Sequence, residues 1–319
     1  MTETAADLYL DLLKRCVLNL IYEDLSFPQT LDDQNGNSES AEGLLSRVSA
    51  GVLFAASRRQ VFKGLSGYTQ RITPRSLRTL SEFDREKRLD GKDFPSEAHT
   101  MIGMRRLDNI QALVDDVLRN DVPGDLIETG VWRGGSTIFM RGVLKARGVT
   151  DRRVWVADSF AGMPSPGQDG MERSFTSEEQ TETWRNIIRR HPLSVMVMAA
   201  RLRQGTSYDE VREHFARYGL LDEQVEFLVG WFRETLPAAP ISRLALIRMD
   251  GDLYDSTHDA LTWLYPKLSA GGYAVVDDYG SFSECRRAVH DYLEAGGIEA
   301  DLQRIDDHAV FWQKRDPGP

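Results

Sequence analysis

Leu126-Ile-Glu-Thr-Gly-Val-Trp-Arg-Gly-Gly-Ser-Thr137 is the stretch on which the reading of this chain turns. Two aliphatic residues run into Gly130, Gly134 and Gly135, and the helix-forming run IFMRGVLKAR follows. That order predicts a strand beginning at Asp125, a tight turn and a helix, with Ser136 or Thr137 available to cap the helix start. After Gly148 the apolar run VWVAD at 154–158 supplies a second strand and completes a β-α-β unit.

The alternation continues downstream. A long helical region is expected between 176 and 219, then strand VEFLVG at 225–230, strand LALIRMD at 244–250, a helix over 256–268 and strand YAVVDD at 273–278. Strands alternating with helices imply an α/β fold with a mainly parallel sheet covered on both faces. The helix ECRRAVHDYLEAGG and strands around LQRID and AVFWQK then read as an antiparallel hairpin closing one sheet edge.

Upstream, MRRLDNIQALVDDVLRN has helical spacing. Residues 6–23 form an amphipathic helix with Leu8, Leu10, Leu13, Val17, Leu20 and Ile21 roughly on one face. The polar stretch 24–42 holds too few apolar residues to anchor a core, and 43–98 shows short apolar clusters among basic residues. Residues 1–98 are therefore read as a helical N-terminal extension, a lid or oligomer contact, and 99–319 as the main domain.

Composition bounds the function. The 319 residues are 41% hydrophobic and 28% charged, enough for a self-sufficient core, and no apolar run approaches the roughly 20 residues that span a bilayer. A membrane partner is thus not expected. The formal charge of −10, with basic residues scattered among acids, argues against nucleic acid as substrate. The first residues lack a basic start, an apolar core and a cleavage site, so the expected compartment is the cytoplasm. Cys16 and Cys285 have neither zinc nor redox spacing and are read as free thiols.

In open parallel sheets ligands bind beyond the carboxyl ends of the strands. Acids stand at those ends: Glu128, Asp158, Asp250, Asp252, Asp277 and Asp278. The glycine spacing is not the G-x-G-x-x-G of a dinucleotide turn, which counts against a nucleotide-dependent oxidoreductase and suits a cofactor without a pyrophosphate. Asp158 is placed to accept hydrogen bonds from both ribose hydroxyls of a nucleoside. The plainer alternatives are that the glycines only make a turn and that Asp158 only caps a strand end.

Glu128-x-Gly130-x-x-x-Gly134 followed by a strand-terminal Asp158 resembles the signature of class I S-adenosylmethionine-dependent methyltransferases. The resemblance implies a Rossmann-like fold with a seven-stranded sheet. It assigns Glu128, Gly130 and Asp158 to the methionine end and ribose of the cofactor, places Ser159 and Phe160 near the adenosine, and adds Ser136 at the helix start. The segment His99-Thr-Met-Ile-Gly-Met104 precedes the first core helix and is expected to fold over the cofactor, with Thr100 and Met101 as contacts, because a charged methyl donor must be shielded from water.

The segments Arg248-Met-Asp-Gly-Asp-Leu-Tyr-Asp-Ser-Thr257 and Val276-Asp-Asp-Tyr279 end two strands linked by one helix, so their acids should be neighbours. Carboxylates crowded together need a metal or ion-pairing arginines; Asp252 and Asp255 as helix caps with Asp277 and Asp278 on surface arginines is the second possibility. Oxygen-only ligands favour a hard cation, Mg2+ or similar.

MDGDLYDST, GGYAVVDDY and IETGVWRGGS together resemble the macrocin O-methyltransferase family, whose members methylate sugar hydroxyls of macrolide and aminocoumarin antibiotics. The likeness covers about 99–290, LYLDLLKRCVLNLIYED and HTMIGMRRLDNIQALV, whereas residues 24–85 depart from it. It implies that Asp250, Asp277 and Asp278 bind the cation and that the acceptor is a small-molecule glycoside. A carboxylate beside the metal would take the hydroxyl proton: Asp252 is the candidate base and His258 its rival. Related enzymes carry Lys or His three residues after the first ligand, where this chain has Leu253. Substrate residues are expected in the extension and in the loop 164–173. A homo-oligomer is expected from the apolar face of helix 6–23, and a non-catalytic cofactor-binding relative is the remaining alternative.

Overall fold

The computed structural model describes residues 4–24, 26–27, 82–164, 173–174 and 206–315. The apolar clusters expected within 43–62, the helical region expected over 176–205 and most of the loop 164–173 lie outside the described residues. So does the polar stretch after Phe27.

Helices are α1 (Ala5–Val17), α2 (Arg85–Asp90), α3 (Gly103–Arg119), α4 (Gly135–Ala146), α5 (Tyr208–Arg217), α6 (Phe232–Ala238), α7 (Tyr254–Leu264) and α8 (Ser283–Ala295). Strands are β1 (Ser26–Phe27), β2 (Phe94–Pro95), β3 (Asp125–Thr129), β4 (Val154–Asp158), β5 (Val225–Val229), β6 (Leu244–Met249), β7 (Leu268–Val276), β8 (Gln303–Arg304) and β9 (Val310–Gln313). Seven of them form one sheet in the order β5-β4-β3-β6-β7-β9-β8. β5, β4, β3, β6 and β7 run parallel, and β9 and β8 add the antiparallel hairpin at one edge.

Alternate residues of each central strand feed opposite faces, as the two-residue period of a strand requires. Leu126, Val154, Val156, Leu246 and Val275 join the core beneath α1, α3, α4 and α5. Ile127, Trp155, Ile247, Met249 and Val276 join the core beneath α6, α7 and α8. Helices thus cover both faces. Strand order reverses between β4-β3 and β6, so the tips of β3, β4 and β6 border the crevice where ligands of such sheets bind.

Several boundaries differ from expectation. α1 ends at Val17, not residue 23, because Asn19 and Glu23 take left-handed backbone conformations. Its buried side is Leu10, Leu13 and Val17, joined by Leu20 beyond its end, while Leu8 and Ile21 are exposed. β7 begins at Leu268, five residues before the expected 273, and α7 spans 254–264, with a 3-10 turn at Tyr265–Lys267. α6, seven residues with Pro237 inside, is too short for periodicity to reveal. Ser136 and Thr137 do not cap α4, whose first turn has no side-chain cap.

β1 pairs antiparallel with β2, and buried Arg88 ties this small sheet to α1. Arg88 donates to Asp93 Oδ2 (2.6 Å), Asp24 Oδ1 (2.8 Å) and the Leu18 carbonyl (2.8 Å). Cys16 and Cys285 are free. No helix among the described residues is long and apolar enough to cross a membrane.

Candidate active site

The glycine turn after β3 is built by steric necessity. Gly130 has φ +83°, and a Cβ there would stand 1.8 Å from the Asp250 carbonyl oxygen. A Cβ on Gly135 would meet the His99 carbonyl oxygen at 2.5 Å and the Thr100 side chain at 2.8 Å. The turn is therefore clasped between the tip of β6 and the segment that leads into α3. The Gly135 amide donates to His99 O (2.9 Å), while the amides of His99 and Thr100 both donate to Val17 O (2.9 and 3.2 Å), so one short segment links α1 to the turn. Thr100 is buried here, and Met101 beside it is partly exposed.

Glu128, at the end of β3, is fully buried. Ser136 Oγ donates to it at 2.5 Å, and Thr137 Oγ1 and Arg248 Nη1 donate as well. Ser136 and Thr137, expected at the helix start, both donate to this carboxylate, so Glu128 fixes the first turn of α4 from within. Burial pushes its carboxyl up, while Arg248 and the two hydroxyls pull it back.

Asp158, at the tip of β4, accepts the Val131 amide on Oδ2 and the Phe160 amide on Oδ1, both at 2.8 Å. It orders the glycine turn and its own loop together, and as a carboxylate it can accept a ligand hydroxyl beside these amides. Burial raises its pKa against those amides. Ser159 Oγ donates to Gly162 O (3.1 Å) and accepts from the Ala161 amide (3.1 Å). Phe160, held at φ +52°, sets its ring against Tyr208 and Phe227.

The acids at the tips of β6 and β7 separate into two kinds. Asp277 is buried between arginines: Arg248 donates to Oδ1, and Arg106 Nη1 to Oδ2 at 2.6 Å. Arg106 also donates to Asp306 Oδ2 at 2.7 Å. Asp250, Asp252 and Asp278 instead converge, with one carboxylate oxygen of each lying within 4.8 Å of the others. Asp250 keeps 27% of its side chain exposed, against 6% for Asp277, so the converging group opens to solutes at Asp250, while Asp278 is buried.

Burial and mutual repulsion raise the pKa of Asp250 to about 7 and that of Asp252 to about 8, and push Asp278 well above the usual carboxylate range. Of the three, only Asp250 has Arg248 to oppose this, through the Nη1 donation to Oδ2 at 2.8 Å. A divalent ion would supply the missing positive charge, and the donor set, all carboxylate oxygen, suits Mg2+ or a similar hard cation. Asp252 has φ +58°, a conformation an aspartate tolerates at a cost, and its amide donates to Asp278 Oδ2 at 3.2 Å. That strained turn carries Asp252 into the group.

His258, the rival base, stacks on Tyr254 (ring centroids 5.7 Å apart) and meets Thr262 and Arg173; it touches none of the three converging acids. Asp255 does not cap α7 through its own carboxylate. It accepts instead from the amides of Arg173 and Ser174, from Arg173 Nε and from Ser174 Oγ.

Sequence reasoning did not give roles to Arg248 and Arg106. The signal for Arg248 is one cation inside the otherwise apolar strand LALIRM, where a buried charge demands partners. Arg106 sits beside Arg105 on a helix and carries no such mark.

A family model described as "Macrocin-O-methyltransferase (TylF)" matches residues 6–314. The chain is 45% identical over 315 residues to the 8-demethyl-8-(2,3-dimethoxy-alpha-L-rhamnosyl)-tetracenomycin-C 4'-O-methyltransferase of Streptomyces olivaceus, covering 98% of this chain and 95% of the relative. It is 40% identical over 315 residues to the mycinamicin III 3''-O-methyltransferase of Micromonospora griseorubida, with 98% of each covered. Its backbone resembles that of the O-methyltransferase NovP, with a TM-score of 0.71, 39% identity and coverage of 97% of this chain and 99% of that one. The architecture is accordingly the Rossmann-like class I methyltransferase fold, and the oxidoreductase and non-catalytic alternatives give way. With similarity of this length and degree, the chain belongs to the macrocin O-methyltransferase family and is an O-methyltransferase.

Proposed function

We propose that the protein moves the methyl group of S-adenosylmethionine onto a sugar hydroxyl of a glycosylated secondary metabolite, in antibiotic biosynthesis, with a divalent cation such as Mg2+ at the tips of β6 and β7. The observation that carries this reading is the convergence of Asp250, Asp252 and Asp278 beside a glycine turn in a chain of this family. Two relatives are named for 4'- and 3''-hydroxyl methylation of glycosylated compounds, which supports a small-molecule glycoside as acceptor.

The donor supplies an activated sulfonium methyl, and the cation supplies polarisation of the acceptor hydroxyl. The chain's own tasks are to hold, orient and deprotonate. Gly130, Asp158, Ser159, Phe160, Thr100 and Met101 would meet the cofactor, with Glu128 and Ser136 bracing its turn through their own hydrogen bond. Asp250 and Asp278 would hold the cation, and Asp277 would complete the set through lone pairs its arginines leave free. Asp252 takes the acceptor proton on its carboxylate. A second reading exchanges the last two, because Asp252 converges with Asp250 and Asp278 and Asp277 does not.

Residues 1–98 act as an extension that closes over the site and meets a second copy. Exposed Leu8, Tyr9, Leu12, Ile21 and Tyr22 on and after α1 support a homo-oligomer, which gel filtration of a clean monomer would refute. We assign the enzyme to the cytoplasm.

The test is methyl transfer from S-adenosylmethionine to candidate glycosides with and without EDTA. Activity should vanish on chelation and return with Mg2+. Asp252→Asn should keep Mn2+ affinity and lose turnover, whereas Asp277→Asn should lose both; the reverse pattern selects the second reading. Unchanged turnover in EDTA sinks the metal-dependent mechanism.

A further inference from the structure

One guanidinium touches both halves of the site. Arg248 Nη1 donates to Glu128, which braces the glycine turn, and to Asp250 Oδ2 at the cation cluster, while Nη2 donates to Asp277. Arg248 is fully buried, and its partners Glu128 and Asp277 are nearly so, which leaves water little part in screening these contacts. The two halves also meet through backbone: the Asp250 amide donates to Thr129 O at 2.8 Å, and the Asp250 carbonyl fills the space of a Gly130 Cβ.

We propose that Arg248 is a positioning residue that couples cation binding to cofactor binding, by sharing its charge between the acid beneath the cofactor's turn and the acids that hold the cation. The inference rests on the function proposed above. A cation at Asp250 and Asp278 neutralises carboxylate charge that otherwise draws on Arg248. The guanidinium then serves Glu128 more fully and stiffens the first turn of α4, so a nucleoside bound at that turn loses less freedom. Coupling of this kind is reciprocal: each ligand tightens the other by the same factor.

Calorimetric titration of the full-length protein tests this without turnover, with S-adenosylhomocysteine, which carries no sulfonium charge, and MgCl2 as probes. In the parent, saturating Mg2+ should tighten S-adenosylhomocysteine about five-fold, and saturating S-adenosylhomocysteine should tighten Mg2+ about five-fold. Arg248→Lys, whose compact ammonium cannot span three carboxylates, should bring both factors to about one while each ligand still binds. Glu128→Gln cuts the bridge at its cofactor end and should do the same with Arg248 in place, which covers the case in which Arg248→Lys does not fold by circular dichroism. A parent that binds both ligands independently, or variants that keep the five-fold factor, would overturn the inference and leave the proposed function standing. A parent that binds no Mg2+ with or without S-adenosylhomocysteine overturns both.

Discussion

The Asp250 carbonyl oxygen occupies the space that a Cβ on Gly130 would need, at 1.8 Å, so the cofactor turn and the acid segment after β6 are in direct backbone contact. Gly130→Ala meets a backbone obstacle that cannot swing aside and a φ of +83° that costs alanine about 1–2 kcal/mol by itself. The variant should melt several degrees lower and bind S-adenosylhomocysteine at least about ten-fold more weakly. Wild-type melting and affinity together would show that the turn is not held as described.

Asp255 pins Arg173 and Ser174 to the start of α7, three residues after Asp252. Asp255→Asn turns an amide NH2 toward a group of donors, a mismatch worth about 1–3 kcal/mol at a buried site. Because Arg173 ends the loop 164–173 proposed to meet the acceptor, KM for the glycoside should rise about three- to ten-fold while KM for S-adenosylmethionine stays constant. Equal effects on both substrates would assign Asp255 a general structural role.

His99 packs against His214 and accepts from or donates to Tyr218 through Nδ1 at 2.8 Å. Burial, with His214 and Arg133 adding to it, pushes its pKa down to about 3 from 6.5. Below pH 6.5 the unfolded chain takes up a proton that the folded ring refuses. Stability is therefore present above that pH and is lost as pH falls toward 3, by at most about 1.4 kcal/mol per pH unit from this group. Urea midpoints of His99→Gln should fall less steeply than those of the parent between pH 6.5 and 4.5. Parallel slopes would show that His99 is protonated in the fold.

Arg88 compensates Asp24 and Asp93 in a buried network. Arg88→Ala strands both acids and should cost about 3–5 kcal/mol in urea unfolding, whereas Arg88→Ala with Asp24→Asn and Asp93→Asn should recover part of it. A loss below about 1 kcal/mol for the single change would place the network in water.

How much of this was legible depended on how locally each feature is encoded. β3, β4 and β6 read plainly because strands buried on both faces are continuous apolar runs, and the hairpin at the sheet edge followed from its alternating residues. The division of the carboxylates did not. Asp277 and Asp278 are neighbours in sequence, yet a strand tip turns them to different surroundings, one between arginines from α3 and β6 and the other toward Asp250 and Asp252. No spacing records that Arg106, 171 residues away, closes on Asp277. The two-residue strands β1 and β2 likewise exist only through their pairing, so no periodicity announces them.

That pairing has a consequence for how such a protein can diversify. Ser26 lies opposite Pro95 and Phe27 opposite Phe94, so the polypeptide departs and re-enters at one knot, locked by Arg88. Any change of sequence here must therefore keep Asp24, Arg88 and Asp93 together, or release both two-residue strands and the end of α1 at once.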